Sequence, residues 1–245
     1  QCRSCGADDM NTVFDMGDLK INAFTVEPNT DVGSAPLTLV HCHVCDLIQL
    51  DHTVREQELY ENYWYLSRLN QKIVDNLSSI VDDITNEVGL NNDDIVLDIG
   101  ANDGTLLSNY DSKKVTRVGC DPAKNIHLDL VKHTDIMIGD FFNYENWVTR
   151  VGIKTARAIT TVAMFYDLDD PNSFVQDIKK VLATDGVWLC QLMTAEPMLA
   201  SNDLGNVIHE HIEYYSFKSL VVLMERHGLE IYKVLENDIN GGSYQ

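Results

Sequence analysis

Three observations predict an α/β fold. From about residue 93 onward, strand-like apolar runs alternate with helix-like periodic segments, as in a Rossmann-like, mostly parallel sheet covered on both faces. A short apolar run, Asp94-Ile95-Val96-Leu97-Asp98-Ile99, ends in the glycine-punctuated turn Gly100-Ala101-Asn102-Asp103-Gly104-Thr105. Ahead of these stand two C-x2-C pairs, Cys2-Arg3-Ser4-Cys5 and Cys42-His43-Val44-Cys45, which add a small N-terminal zinc-binding domain. The expected division is residues 1–52 for the zinc domain, 53–92 for a linker and amphipathic helix, and 93–245 for a cofactor-binding domain.

Composition narrows the partners. The 245 residues are 44% hydrophobic and 23% charged, enough chain for a full core and one small satellite domain. No apolar run has the roughly 20 residues of a membrane span, and no signal peptide is visible, so a cytoplasmic location is expected. The formal net charge is -20. Such a surface repels nucleic acid and anionic membranes. A nucleotide-linked substrate would need local cations.

Each C-x2-C pair fits a tight knuckle presenting two thiolates, and Cys2, Cys5, Cys42 and Cys45 together complete a tetrahedral zinc site. Two disulfides or a redox pair are the alternatives, and disulfides fit poorly with a chain lacking a secretory signature. His41 and His43 could substitute for a cysteine ligand. Cys120 and Cys190 fall in apolar runs and read as buried thiols. Between the knuckles, Asn11 to Phe14, Leu37 to Val40 and Ile48 to Leu50 read as short strands, and Glu27-Pro28-Asn29-Thr30 and Gly33-Ser34 as loop. So little apolar content needs the metal to fold.

Next comes an aromatic stretch, Tyr60 to Ser67, which could equally be packing between domains. Ser67 resembles an N-cap, and Leu69, Ile73, Leu77, Ile80, Ile84 and Val88 recur at helical spacing up to Gly89. The strand from Asp94 reads as buried on both faces. Glycine lets a backbone approach a ligand, and a helix starting near Leu106, Leu107 and Tyr110 would offer free N–H groups. The spacing D-x-G-x-N-D-G is not the dinucleotide G-x-G-x-x-G. It resembles motif I of class I methyltransferases that use S-adenosylmethionine, with Asp98, Gly100, Asn102, Asp103 and Gly104 at the cofactor. About twenty residues on, Asp121 stands at the tip of the next strand, where a carboxylate accepts from both ribose hydroxyls.

The alternation continues with strands at Asp135 to Ile138, Ala158 to Ala163, Gly186 to Met193 and Leu229 to Leu235, and helices at Pro171 to Leu182 and Phe217 to His227. Asp140 and Phe141 occupy a position that commonly flanks an adenine ring, although Phe141 and Phe142 could be core. Met164-Phe165-Tyr166 falls at a strand end where open α/β sheets bind ligands.

Val207-Ile208-His209-Glu210-His211-Ile212-Glu213-Tyr214-Tyr215-Ser216 puts two histidines around a glutamate on the loop leaving the fifth strand, expected to face the cofactor methyl. A histidine there can accept a proton, and a neighbouring carboxylate can orient it. A second metal site, a solvated loop and a helix-capping segment are the competing readings.

Taken in order, C-x2-C-G, C-x2-C, Y-x-Y-x-S, D-I-G-x-N-D-G-T and H-E-H-x-x-Y-Y-S, closed by Asn240-Gly241-Gly242-Ser243, resemble the sugar C-methyltransferases that act on nucleotide-linked 4-keto-deoxyhexoses. The resemblance covers essentially the whole chain. It implies a zinc domain, an S-adenosylmethionine domain of the class I methyltransferase fold, and a further domain after N-G-G-S, so that the chain, beginning on Gln1 and stopping at Gln245, reads as trimmed. It implies His211 as the base that forms an enolate, with Glu210, His209 and Tyr65 beside it. Tyr63, Tyr65, Ser67 and Tyr166 would meet the sugar or cofactor. The chain departs from the family at Ile208, where Tyr is frequent, at Met164-Phe165-Tyr166, where some members carry His, and at Ser67-Arg68-Leu69-Asn70, which lacks a glycine. An O- or N-directed methyltransferase and a non-catalytic zinc-containing binding module are the alternatives. A nicotinamide oxidoreductase is disfavoured by the missing third glycine.

Overall fold

The computed structural model describes residues 1–21, 33–54, 59 and 63–245. The chain forms two compact units. One comprises Tyr60–Val162 and Gln176–Cys190; the other comprises Gln1–Leu59, Ala163–Val175 and Gln191–Gln245. No helix among the described residues is long and apolar enough to cross a membrane.

The first unit is built around β4 (Ile95–Ile99), buried along its whole length. Parallel β5 (Thr116–Cys120) pairs with it from Ile95↔Thr116 to Ile99↔Cys120. Parallel β7 (Ala156–Val162) flanks the other side, from Val96↔Ala158 to Ile99↔Thr161. β6 (Ile136–Ile138) extends the sheet beyond β5, and β8 (Leu182–Met193) lies beyond β7. A strand with neighbours on both sides and layers on both faces is predominantly apolar, which is why β4 carries no alternation and Asp98 is its one polar residue. The Trp188 indole N–H donates to the Thr161 hydroxyl at 2.9 Å, tying β8 to β7.

Helix α1 (Gln71–Val88) buries Leu77, Ile80, Val81, Ile84 and Val88, the stripe its periodicity predicts. That stripe packs in one cluster with Val96, Leu106, Leu107, Leu130 and Ala158. Gly89 closes the helix in the left-handed conformation, its N–H on the Thr85 carbonyl. The N-cap is a correction. Asn70 caps α1 by accepting from the Lys72 N–H, and Ser67 opens a separate 3-10 turn, Ser67–Leu69. The helix expected after the glycine turn is also absent: Leu107–Asn109 make a single 3-10 turn. Leu106, Leu107 and Tyr110 are nonetheless buried. Once the turn at Gly100–Gly104 and the Lys114 N–H to Asp111 carbonyl turn are made, too little chain remains before β5 for a helix. Short α2 (His127–Leu130) and α3 (Tyr144–Val151), the latter capped by Asn143, complete this part.

In the second unit β1 (Met10–Lys20), β2 (Ser34–Cys42) and β3 (Ile48–Leu50) form an antiparallel sheet. Its fourth strand is β9 (Glu213–Tyr214), paired Ile48↔Tyr214 and Gln49↔Glu213. Leu37, Leu39 and Leu50 share a core with Ala195, Val207 and Tyr214. Leu37 and Leu39, between the cysteine pairs, therefore bury their side chains against chain from beyond residue 190, whereas Val13, Phe14 and Leu19 are exposed. Helix α5 (Ala195–Ser201) was not foreseen. Helix α6 (Phe217–Arg226) starts at a capping box formed by Ser216 and Ser219. Helix α4 (Pro171–Val181) and β8 each begin in one unit and end in the other.

The strand expected at Leu229 to Leu235 is not formed, and Tyr232, Val234 and Leu235 are exposed. Chain turns instead into a two-residue ribbon, β10 (Glu236–Asn237) with β11 (Ser243–Tyr244). β11 pairs antiparallel with β8 through Ser243↔Met193 and Tyr244↔Leu192. The place beside β8 that a sixth strand needs is thus taken. The loop expected at Glu27 to Thr30, and Tyr60 of the aromatic stretch, lie outside the described residues.

Candidate functional site

Three constellations carry chemistry, one in the first unit and two in the second. The cysteines come first. Each C-x2-C pair is closed by a backbone bond four residues on, Gly6 N–H to the Cys2 carbonyl at 2.9 Å and Asp46 N–H to the Cys42 carbonyl at 3.0 Å. The four sulfurs lie within 4.8 Å of one another, with Cys2 and Cys45 at 3.5 Å and Cys5 and Cys42 at 3.6 Å. A tetrahedron with metal–sulfur bonds of about 2.3 Å requires sulfur separations of about 3.8 Å. None of the cysteines is in a disulfide. The thiols are also electrostatically unequal. Cys45 shares its hydrogen with Cys2, whose thiol is held down at about 5, while Cys45 itself is pushed up by that bond and by burial. Four clustered sulfurs, three of them buried, ionise together only against a compensating cation, and the site therefore fits zinc. His41 faces Asp46 at 3.6 Å and is outside the cluster.

The glycine turn Gly100–Gly104 lies at the end of β4. Asp98 is buried and accepts from the Thr160 hydroxyl at 2.7 Å; burial pushes its carboxyl up to about 7. Gly100 and Gly104 have φ of +72° and +80°. A Cβ on Gly104 would stand 2.9 Å from that of His133, so the turn closes only with glycine. Asp121 is buried at the end of β5, with one carboxylate oxygen accepting from Asn102 N–H at 2.8 Å and the other from Ala123 N–H at 2.9 Å. Each oxygen keeps a second lone pair, the pair of acceptors that two donating ribose hydroxyls require. The pair therefore suits an adenosine ribose. Asp140 is exposed and accepts from Phe141 N–H at 2.8 Å, and Phe141 is half-buried.

Asn102 and Asp103 turn toward the segment preceding α1. Asn102 Oδ1 accepts from Ser67 N–H at 3.0 Å, and its Nδ2 donates to the Tyr65 carbonyl at 2.9 Å. Asp103 Oδ1 accepts from the Thr105 hydroxyl at 2.6 Å, and Oδ2 accepts from Arg68 N–H at 3.1 Å and Nη1 at 3.2 Å. Tyr63 is half-buried and Tyr65 is 45% exposed. Burial, then the Asp103 charge, raise the Tyr65 phenol above its ordinary value.

In the second unit a cleft is lined by Tyr166, Thr194, Asn206, His211 and Glu213, with Asn240, Gly241 and Gly242 closing one side. His211 Nδ1 stands 2.9 Å from the Asn206 carbonyl oxygen. A carbonyl only accepts, so Nδ1 carries the hydrogen and Nε2 carries the lone pair. Burial lowers the His211 pKa, opposed by the Asn206 bond. The Tyr166 ring meets the imidazole edge-on at 4.7 Å. His209 is buried with Nε2 on the Ala35 carbonyl at 3.0 Å, an anchor to β2. Glu210 is half-buried, and burial raises its carboxyl. Glu213 is fully buried, 3.7 Å from Arg3 Nε. Burial pushes its carboxyl well up, Arg3 opposes this, and Asp167, Asp169 and Cys2 reinforce it.

Sequence reasoning missed Asn206, Thr160, Arg68 and Asn125. Asn125 brackets Tyr63, accepting from its N–H at 3.0 Å and donating to its carbonyl at 2.8 Å. No spacing announces such residues, because their partners are backbone groups or distant side chains.

The family profile described as "Methyltransferase domain" matches residues 60–234, and one described as a zinc binding domain matches residues 2–60. The C-methyltransferase NovU of Streptomyces niveus is 28% identical over 249 residues, covering 99% of this chain and 59% of that protein. The chain thus spans about 59% of the length of this curated relative. Among solved structures, a SAM-dependent methyltransferase from Archaeoglobus fulgidus aligns with a TM-score of 0.53 at 11% identity, over 66% of this chain and 72% of that one. The magnesium protoporphyrin IX methyltransferase of Synechocystis PCC 6803, solved with bound SAH, aligns at 0.52 and 9% identity, over 79% and 87%. At these identities the likeness is one of fold.

Proposed function

The chain belongs to the S-adenosylmethionine-dependent methyltransferase family, with a zinc-binding domain ahead of the methyltransferase domain, and from that premise we propose that it methylates a carbon beside the ketone of a nucleotide-linked keto-deoxysugar, with His211 as the base. The observation that carries this reading is the Nδ1–H bond to the Asn206 carbonyl. It fixes the tautomer that a base needs, and burial keeps the ring neutral near pH 7.

The backbone of Gly100 to Gly104 and the Asp121 carboxylate would hold S-adenosylmethionine, with Asp98 beneath the turn and Asp140 and Phe141 toward the adenine. S-adenosylmethionine supplies a sulfonium-activated methyl group to an electron-rich carbon. The ketone makes the neighbouring C–H acidic. His211 Nε2 takes that proton, and the bond pair it leaves behind is shared between carbon and the ketone oxygen. Tyr166, packed against the imidazole, keeps the ring from turning. Tyr63, Tyr65 and Ser67 are the proposed contacts to the sugar. Glu210 is a second carboxyl beside the base. His209 is assigned to anchoring, because its Nε2 is already committed to Ala35. A carbon acceptor, rather than oxygen or nitrogen, is supported by the similarity to a C-methyltransferase.

The test uses His211→Asn with a panel of nucleotide-linked keto sugars. Turnover falls by about 10²–10⁴, with cofactor affinity unchanged. Solvent deuterium exchange at the acidic carbon, followed with S-adenosylhomocysteine in place of the methyl donor, is lost in the same variant. Exchange persisting at the wild-type rate would remove His211 from the role.

A further inference from the structure

Resting on the reading of the Gly100–Gly104 turn as the cofactor site, we propose that Asp103 is a positioning residue and not a cofactor ligand: with Asn102 and Asn125 it clasps the Tyr63–Arg68 segment against that turn, so that the proposed acceptor-contacting tyrosines are placed by the loop that binds the cofactor.

The argument starts with valence. A carboxylate offers about four acceptor positions. Asp103 Oδ1 takes the Thr105 N–H at 3.2 Å and the Thr105 hydroxyl at 2.6 Å, and Oδ2 takes the Arg68 N–H at 3.1 Å and Nη1 at 3.2 Å. Its side chain is wholly shielded from solvent. All four positions are filled from within the chain, and nothing is left to meet a ligand's ammonium or hydroxyl. The negative charge is matched by the Arg68 guanidinium, which also reaches Asp129 at 2.9 Å.

The segment itself supplies the second line. Tyr63, Tyr65, Ser67 and Arg68 each give a backbone group to this clasp, and the Arg68 guanidinium adds a side-chain bond to Asp103. Asn125 pairs with Tyr63 as a strand neighbour would, N–H to Oδ1 and Nδ2 to carbonyl. Asn102 takes Ser67 and gives to Tyr65. The main chain of Tyr63, Tyr65 and Ser67 is thereby pinned, and the Ser67 hydroxyl adds a bond of 3.4 Å to Asn102 Oδ1. Asn102 has a second tie, because its own N–H bonds the Asp121 carboxylate at 2.8 Å. One asparagine links the proposed ribose acceptor to the main chain of Tyr65, and a shift on either side is felt on the other.

This also accounts for the Asn102-Asp103 pair in the motif. A turn needed only for cofactor contact would be served by its glycines and its N–H groups. The two polar side chains face the incoming segment and fasten it.

Trp64, between the two tyrosines and 58% exposed, reports on the segment. The protein is labelled with 5-fluorotryptophan, and the Trp64 fluorine line is assigned by Trp64→Phe. Asp103→Asn keeps the volume and one acceptor for Thr105 but cannot accept from Arg68 at the same time. Asn125→Ala releases Tyr63 without touching the glycine turn. In the cofactor-free protein, both variants narrow the Trp64 line, while the lines of Trp147 and Trp188 stay unchanged. S-adenosylmethionine affinity in Asp103→Asn stays within about threefold of wild type, and kcat falls by about tenfold or more with the acceptor KM raised. An unchanged Trp64 line in both variants would overturn the clasp. A loss of about tenfold to a hundredfold in cofactor affinity in Asp103→Asn, the effect of a lost charged hydrogen bond, would make Asp103 a ligand and overturn the assignment. The fluorine measurement needs no cofactor. A wild-type protein that binds no S-adenosylmethionine would therefore end the functional reading while leaving the clasp result standing on its own.

Discussion

The His211 imidazole is fastened through Nδ1 to the carbonyl of Asn206, five residues back along the same loop. The bond fixes three things at once: which ring nitrogen carries hydrogen, which way the ring faces, and where the loop turns. Tyr214 donates its hydroxyl to the same carbonyl at 3.2 Å, so the acceptor is shared and held from two sides.

The first prediction follows from the His211 pKa. Burial disfavours the charged imidazolium, so the pKa lies below the ordinary 6.5. The base works only when neutral. Activity is therefore present above that lowered pKa and is lost as pH falls through it. With saturating cofactor, the acidic limb of kcat/KM has its midpoint below 6.5. Tyr166 meets the ring, Glu213 and Tyr214 line the same cleft, and none of the three is a cation. A midpoint at or above 6.5 in the wild type would contradict a buried neutral base.

The second concerns Asp121. Its carboxylate already accepts from Asn102 and Ala123, so Asp121→Ala would disturb the turn as well as the ligand. Asp121→Asn keeps the shape and one acceptor, and removes the charge together with one of the two backbone N–H bonds. Each charged hydrogen bond to a ribose hydroxyl contributes about 1.5–3 kcal/mol. S-adenosylmethionine affinity in Asp121→Asn falls by about 10–100-fold in calorimetry. Equal affinity for the variant and the wild type would refute the placement of the ribose.

Some of this architecture is legible in the chain and some is not. β4 is legible because a strand buried on both faces has to be apolar, and α1 because its five buried positions recur at helical spacing. The zinc site is legible because thiolates on a knuckle need one spacing. β9 is not, because it is two residues long and its partner, β3, lies more than 160 residues earlier. Nor is the failure of Leu229 to Leu235 to form a strand, because the apolar pattern says nothing about whether a sheet edge is free. The cap of α1 moved from Ser67 to Asn70 because Ser67 is bound by Asn102, a contact between loops that no local pattern encodes.

The third prediction concerns the metal. Elemental analysis gives one zinc per chain, and Cys42→Ser or a strong chelator removes it. Arg3 sits between ligands Cys2 and Cys5 and also bonds Gln49 and the Leu50 carbonyl, the latter at 2.7 Å. The knuckle is thus stitched to β3, and β3 to β9 and the His211 loop. Metal loss lowers the melting temperature and also turnover, whereas the S-adenosylmethionine affinity of the Gly100–Gly104 turn is retained. A zinc-free protein with full turnover would separate the knuckle from the activity.

The last prediction isolates one glycine. Gly242 has φ of +127°, and a Cβ there would stand 2.5 Å from the Pro197 Cβ and 3.0 Å from its Cγ. Pro197 lies in α5, and its ring cannot swing aside as a long flexible side chain would. Gly242→Ala therefore combines two costs: backbone strain of about 1–3 kcal/mol and overpacking of about 1–3 kcal/mol. Gly152 has φ of +89° with nothing within 4 Å of its would-be Cβ, so Gly152→Ala measures the strain with no clash. Denaturant titration shows Gly242→Ala destabilised by more than Gly152→Ala, the excess being the Pro197 contact. Because Asn240 and Gly241 line the cleft with His211, the shift also raises the acceptor KM in Gly242→Ala and leaves cofactor affinity intact. Equal destabilisation of the two variants would mean that α5 gives way, and the Asn240–Gly242 wall would then be no fixed part of the cleft.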